Sequence, residues 1–155
     1  MPSNTGRKTF IAGSWMLILF GGVHVLAVYD ANFNVPADPK MAEIDRLAKA
    51  YTIPMGPCTP TAFGLIQILS VSYSLLLIYA GVLNLLAMGP AMRAGRLRAL
   101  AMCNILFIAL LLGVLVVYQF PPPMLFAGTA LVLFGVSWVK QRGGAPDGPI
   151  SGDNS

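Results

Sequence analysis

Charge is what this chain has least of. Only 10% of its 155 residues are Asp, Glu, Lys or Arg, against about a quarter in an ordinary soluble domain. From 62 to 87 there is no charged side chain at all. Histidine occurs once, at position 24, and the two cysteines, Cys58 and Cys103, form no CxxC pair. Dithiol redox chemistry and a multidentate zinc site therefore lack their residues. No carboxylate falls inside an apolar stretch, which removes the titrating group of carriers that move protons on an intramembrane Asp or Glu. A phosphate-binding loop, an HExxH helix and a nucleophile elbow are also missing, so no catalytic motif marks the chain as an enzyme.

Hydrophobic residues make up 56% of the chain, and they come in long runs. A helix rises about 1.5 Å per residue and the hydrocarbon core is about 30 Å thick, so about 20 apolar residues cross it. Four stretches meet that length, at about 10–29, 62–88, 99–118 and 123–139. None alternates with period two as a membrane barrel strand does, and lipid leaves the helix as the form that satisfies its own backbone. The expectation is all-α: a transmembrane four-helix bundle in a single domain over 1–142, followed by a disordered cytoplasmic tail at 143–155 rich in Gly, Pro, Ser and Asp. A signal peptide is the competing reading of the first run, disfavoured by its length and by the lack of a small-x-small cleavage site.

The basic residues orient the bundle. Arg7, Lys8, Arg93, Arg96, Arg98, Lys140 and Arg142 fall on one side, and only Lys40, Arg46 and Lys49 on the other. The positive-inside rule then puts both termini in the cytoplasm. Trp15 and Trp138 lie towards the cytoplasmic headgroups and Tyr29, Tyr51 and Tyr118 towards the outer ones. The pI near 9.3 reflects this topology rather than a nucleic-acid surface. The two cysteines are expected at different depths, too far apart for a disulfide.

The first outer loop, 30–61, contains one further helix. Asp38 and Pro39 read as an N-cap and first-turn proline, after which Met41, Ile44, Leu47, Ala48 and Tyr51 recur at helical spacing. The opposite face holds Lys40, Glu43, Asp45, Arg46 and Lys49, with Asp45 and Lys49 set for a helical ion pair. Over about 39–51 this predicts an amphipathic helix, lying on the membrane surface or covering the bundle. Thr59 and Pro60 read as the cap of the second span, and Pro121, Pro122 and Pro123 as a stiff link between the third and fourth.

Polar residues inside the spans are costly and so mark candidate sites. His24 and Gln67 each fall about five residues inside an outer helix end, which sets them at one depth within hydrogen-bonding reach. Gly21 and Gly22 remove bulk beside the histidine, and Ser70 and Tyr73 lie further along the second span. Asn84 and Asn104 share a second depth, where Ser14 and Ser137 can join them. The polar groups of both layers read either as helix-packing hydrogen bonds or as function. For His24 the functional options are a quinone, a haem or a lipid, with Gly22, Gln67 and Tyr73 as the rest of a candidate pocket. A lone histidine weakens haem, and no ligand cluster supports a metal. Gly128 and Gly135 mark a smooth helix face suited to packing a neighbour.

The string GGVHVLAVYD resembles a group of small bacterial four-helix membrane proteins loosely related to the DoxX-like families. The likeness continues through DPKMAEIDRLAKAY into FGLIQILSVSYSLLLIYAGVLNLL and covers about three-quarters of the chain. It implies a four-helix bundle in the bacterial inner membrane, mostly without an assigned activity, and carries over Gly22, His24, Gly64 and Gln67 as candidates. The leading reading is an accessory or structural membrane component. Its rivals are a ligand-binding or redox protein built on His24 and Gln67, and a small-solute permease or channel lined by Ser70, Tyr73 and Asn84. The expected partners are the lipid bilayer and either a membrane protein or a second copy of the chain, with no nucleic acid; the cofactor stays open.

Overall fold

The computed structural model describes residues 3–34, 36–89, 92–117 and 121–141, without the side chains of positions 121 and 122. It is helical throughout: α1 Asn4–Phe33, α2 Pro39–Ala50, α3 Ala62–Leu86, α4 Ala94–Val117 and α5 Pro121–Lys140. Apart from two isolated bridges, Thr52 with Thr61 and Met55 with Cys58, no extended pairing occurs among the described residues. Four of the helices, all but α2, are long and apolar enough to cross a membrane. The expected tail at 143–155 lies outside the described residues, as do Tyr118 and Arg142.

Helix ends depart from the hydropathy boundaries where capping chemistry decides them. α1 begins at Asn4, well before the apolar run, because Ser3 caps it: its Oγ accepts from the Gly6 N–H at 3.0 Å and its carbonyl from Arg7 N–H. Arg7 and Lys8 are consequently helical. α1 also continues past Tyr29 to Phe33, where the Asn34 side chain donates to the Asp30 carboxylate. With 30 residues, α1 is about 45 Å long at helical rise and exceeds the hydrocarbon thickness. The cap of α3 is Thr61, whose Oγ1 accepts from Gly64 N–H at 3.0 Å, and not Thr59 with Pro60; the Pro60 carbonyl instead accepts from Ile53. The three prolines expected as a link form the first turn of α5, where a missing N–H costs nothing because no helical partner exists for it.

α2 follows its sequence pattern closely. Asp38 accepts from Lys40 N–H at 2.7 Å and Met41 N–H at 3.3 Å, Pro39 opens the helix, and Lys49 pairs with Asp45 at 2.7 Å. Arg46 and Glu43 form a second pair at 2.7 Å, and the guanidinium's hydrogen bond holds the Glu43 carboxyl below its usual range. The apolar stripe Met41, Ile44, Leu47 and Tyr51 stays exposed.

By compactness the chain forms two units, one of Met1–Met16 with Leu83–Ser155 and one of Leu17–Val82. In the first, α4 and α5 run along each other. α4 turns in one face, Leu97, Ala101, Asn104 and Ile108, and α5 turns in Ala127, Ala130, Phe134 and Ser137, both at the three-to-four spacing of helix packing. Phe10 meets Phe134 edge to face with centroids 5.3 Å apart, and Gly13 lies flat against the same ring, where a Cβ would come within 3.0 Å. In the second unit, Gly21 lets α1 and α3 approach: a Cβ there would stand 2.7 Å from the Ser74 carbonyl and from Ile78 Cγ1.

Candidate functional site

In the unit Leu17–Val82 the polar residues gather around Tyr73. Phe20 and His24, one helical turn apart on α1 and therefore on one face, both meet the Tyr73 ring edge-on, with centroids at 6.1 Å and 5.7 Å. The close approach that makes this possible is at Gly21. Gly22 next to it has nothing within 4 Å of a built Cβ, so of the two glycines only Gly21 serves helix packing. Ser74 spends its hydroxyl on the Ser70 carbonyl at 2.8 Å, the usual i−4 back-bond of a helical serine.

Two polar atoms here are buried without a hydrogen-bond partner, Tyr73 Oη and Gln67 Oε1. The expected His24–Gln67 bond does not form. Gln67 is six residues before Tyr73, about 9 Å along the α3 axis, and His24 engages the tyrosine ring instead. An orphaned buried polar atom costs about 1–3 kcal/mol, which helix packing alone does not require. What the arrangement offers is a phenol that can donate or accept, an imidazole against its ring that can do either, and, further along α3, an amide that can accept.

The second polar layer, in the other unit, is closed on itself. Asn84 Nδ2 donates to Asn104 Oδ1 at 2.9 Å and Asn104 Nδ2 returns to Asn84 Oδ1 at 3.2 Å; Asn104 also donates to the Leu100 carbonyl at 2.8 Å. Ser14 and Ser137 do not join the pair. Ser14 bonds the Phe10 carbonyl at 2.9 Å, because a helical serine hydroxyl reaches its own i−4 carbonyl first, and Ser137 crosses to the Gly6 carbonyl at 2.8 Å. Gln141 accepts from Ser3 N–H at 3.1 Å while its Nε2 is buried without a partner. Arg7 donates to the Met88 carbonyl at 3.2 Å, placing a cation at the negative end of α3. Gly128 and Gly135 face no neighbour within 4 Å; the buried face of α5 is Ala127, Ala130 and Phe134 instead.

Sequence reasoning missed Phe20 and Ser74. Phe20 was detectable as the residue one turn before His24, whereas nothing in the spacing distinguishes Ser74 from Ser70 or Ser72. Cys58 and Cys103 are both free and exposed, and among the described residues no group of His, Cys, Asp or Glu is arranged to hold a metal. No protein-family model matches the chain, and no curated protein and no solved structure is significantly similar to it.

Proposed function

We propose that this chain is a four-span accessory protein of the bacterial inner membrane, a helix bundle with both termini cytoplasmic, that holds an apolar ligand with a polar head against Tyr73, His24 and Gln67. The observation that carries the reading is the pair of buried, unpartnered atoms on α3, Tyr73 Oη and Gln67 Oε1, the first of them on the ring that the only histidine meets. A quinone or quinol, or a lipid ester or hydroxyl, offers oxygens to the phenol and, in the hydroxylated forms, a proton to the amide oxygen. Haem is the weaker fit, since the chain has one histidine and its ring is engaged edge-on by Tyr73. Asn84 is spent on Asn104, which takes one member from the polar series that a permease would need. The exposed apolar stripe of α2 supports its lying on the membrane surface, and the string GGVHVLAVYD supports kinship with DoxX-like proteins.

Native mass spectrometry of the gently extracted protein tests the proposal. A stoichiometric adduct that survives in the wild type and disappears in Y73F and Q67L, with folding intact, is the expected result. A bare chain in all three, or an adduct indifferent to both substitutions, returns His24 and Tyr73 to a packing role and the protein to a purely structural one.

A further inference from the structure

Where α3 gives way to α4, Leu86, Ala87, Met92, Ala99, Leu100 and Arg96 line an open groove of about 610 Å³, within the range of small-ligand clefts. Five of these six walls are apolar and the sixth is a guanidinium. Arg96 is exposed, and neither it nor Arg93 belongs to an ion pair among the described residues, whose two pairs both lie within α2. Arg7 reaches the same turn, with one guanidinium nitrogen on the Met88 carbonyl and further N–H donors left over. α4 starts at Ala94 with no acidic residue in its first turn, so the positive end of the helix is uncompensated. Three arginines therefore gather at the end of two spans beside an apolar groove, with no carboxylate among the described residues paired to them.

We propose that this groove binds an anionic phospholipid, with the headgroup phosphate on Arg96 and an acyl chain along Leu86 and Leu100. The guanidinium fork matches two phosphate oxygens, and Arg93 and Arg7 add the charge that separates an anionic headgroup from a zwitterionic one. The small side chains of Ala87 and Ala99 leave room for methylenes. The site is independent of Tyr73 and His24, and either proposal stands without the other.

The test is competition between phosphatidylglycerol and phosphatidylcholine at equal mole fraction in mixed micelles, read as lipid adducts by native mass spectrometry on the full-length protein. The wild type should retain phosphatidylglycerol preferentially, R96Q should lose about fivefold of that preference and R93Q/R96Q more, and R96K, which keeps the charge but not the fork, should fall between the wild type and R96Q. A99F should reduce retention by filling the groove while all charges stay, which covers the case of an R96Q that does not fold. E43Q, on the exposed face of α2, should leave it unchanged, and because the readout is the ratio of the two lipids, failure here reads out separately from loss of the Tyr73 adduct. An undiminished preference in R96Q and A99F overturns the proposal. So does displacement of the lipid by inorganic phosphate alone, which would make the site an ion site. Phosphatidylglycerol binding that appears only on deletion of 142–155 gives the groove to the tail, and a dimer lost in A99F without change in lipid gives it to a second copy; both overturn it.

Discussion

The two units of this protein differ in which of their buried polar groups go unpaired. In Met1–Met16 with Leu83–Ser155, the asparagines exchange hydrogen bonds with each other, and Ser14 and Ser137 each find a carbonyl. In Leu17–Val82, Tyr73 Oη and Gln67 Oε1 are buried with nothing to bond, beside aromatic contacts that hold the tyrosine ring in place. Lipid offers no water to repair such a deficit. The comparison bears on scaffold and proposed site: the orphan in the first unit, Gln141 Nε2, belongs to a side chain whose oxygen already bonds Ser3, whereas the Tyr73 hydroxyl has no bond at all.

The contrast is broken most severely at the glycines. G21A places a Cβ 2.7 Å from a backbone carbonyl that cannot swing away, and should cost about 2–3 kcal/mol. G22A, with nothing within 4 Å, should be close to neutral; thermal unfolding in detergent compares them. Equal losses would mean that the close approach of α1 and α3 is not what Gly21 provides.

Next in size is the asparagine pair. N104L strands Asn84 and should destabilise by about 1–2 kcal/mol, while N84L/N104L should regain most of that loss. A double variant as weak as the sum of the singles would show that the pair is not coupled. At the other unit the sign reverses. Y73F and Q67L each remove an orphaned atom, so the ligand-free protein should hold its stability or gain up to about 1 kcal/mol, while the adduct is lost. A clear loss of stability in the ligand-free state would place Tyr73 with the scaffold.

The smallest effect belongs to α2. Hydrogen bonding to Arg46 depresses the Glu43 carboxyl, so the folded form binds its proton less readily than the unfolded one. Its contribution is complete above the ordinary carboxylate value and disappears as pH falls through the lowered one. Helicity of α2 by circular dichroism should hold to below pH 4.5, and E43Q should remove that acid limb and little else, as expected of a fully exposed pair.

The spans, the helical class and α2 with its Asp38 cap and Asp45–Lys49 pair were determined by sequence alone, because each depends on local periodicity, on length against the bilayer, or on groups within one turn. So was the meeting of Asn84 with Asn104, since equal distance from facing helix ends sets their level. Tertiary structure decided the rest. Whether His24 meets Gln67 or Tyr73 depends on the rotation of α1 against α3, set by the contact of Gly21 with Ser74 and Ile78. Whether Ser14 joins the asparagines depends on a carbonyl four residues back. Depth along a helix is written in residue spacing; the azimuth that turns a side chain toward one neighbour and not another comes only from how the helices pack.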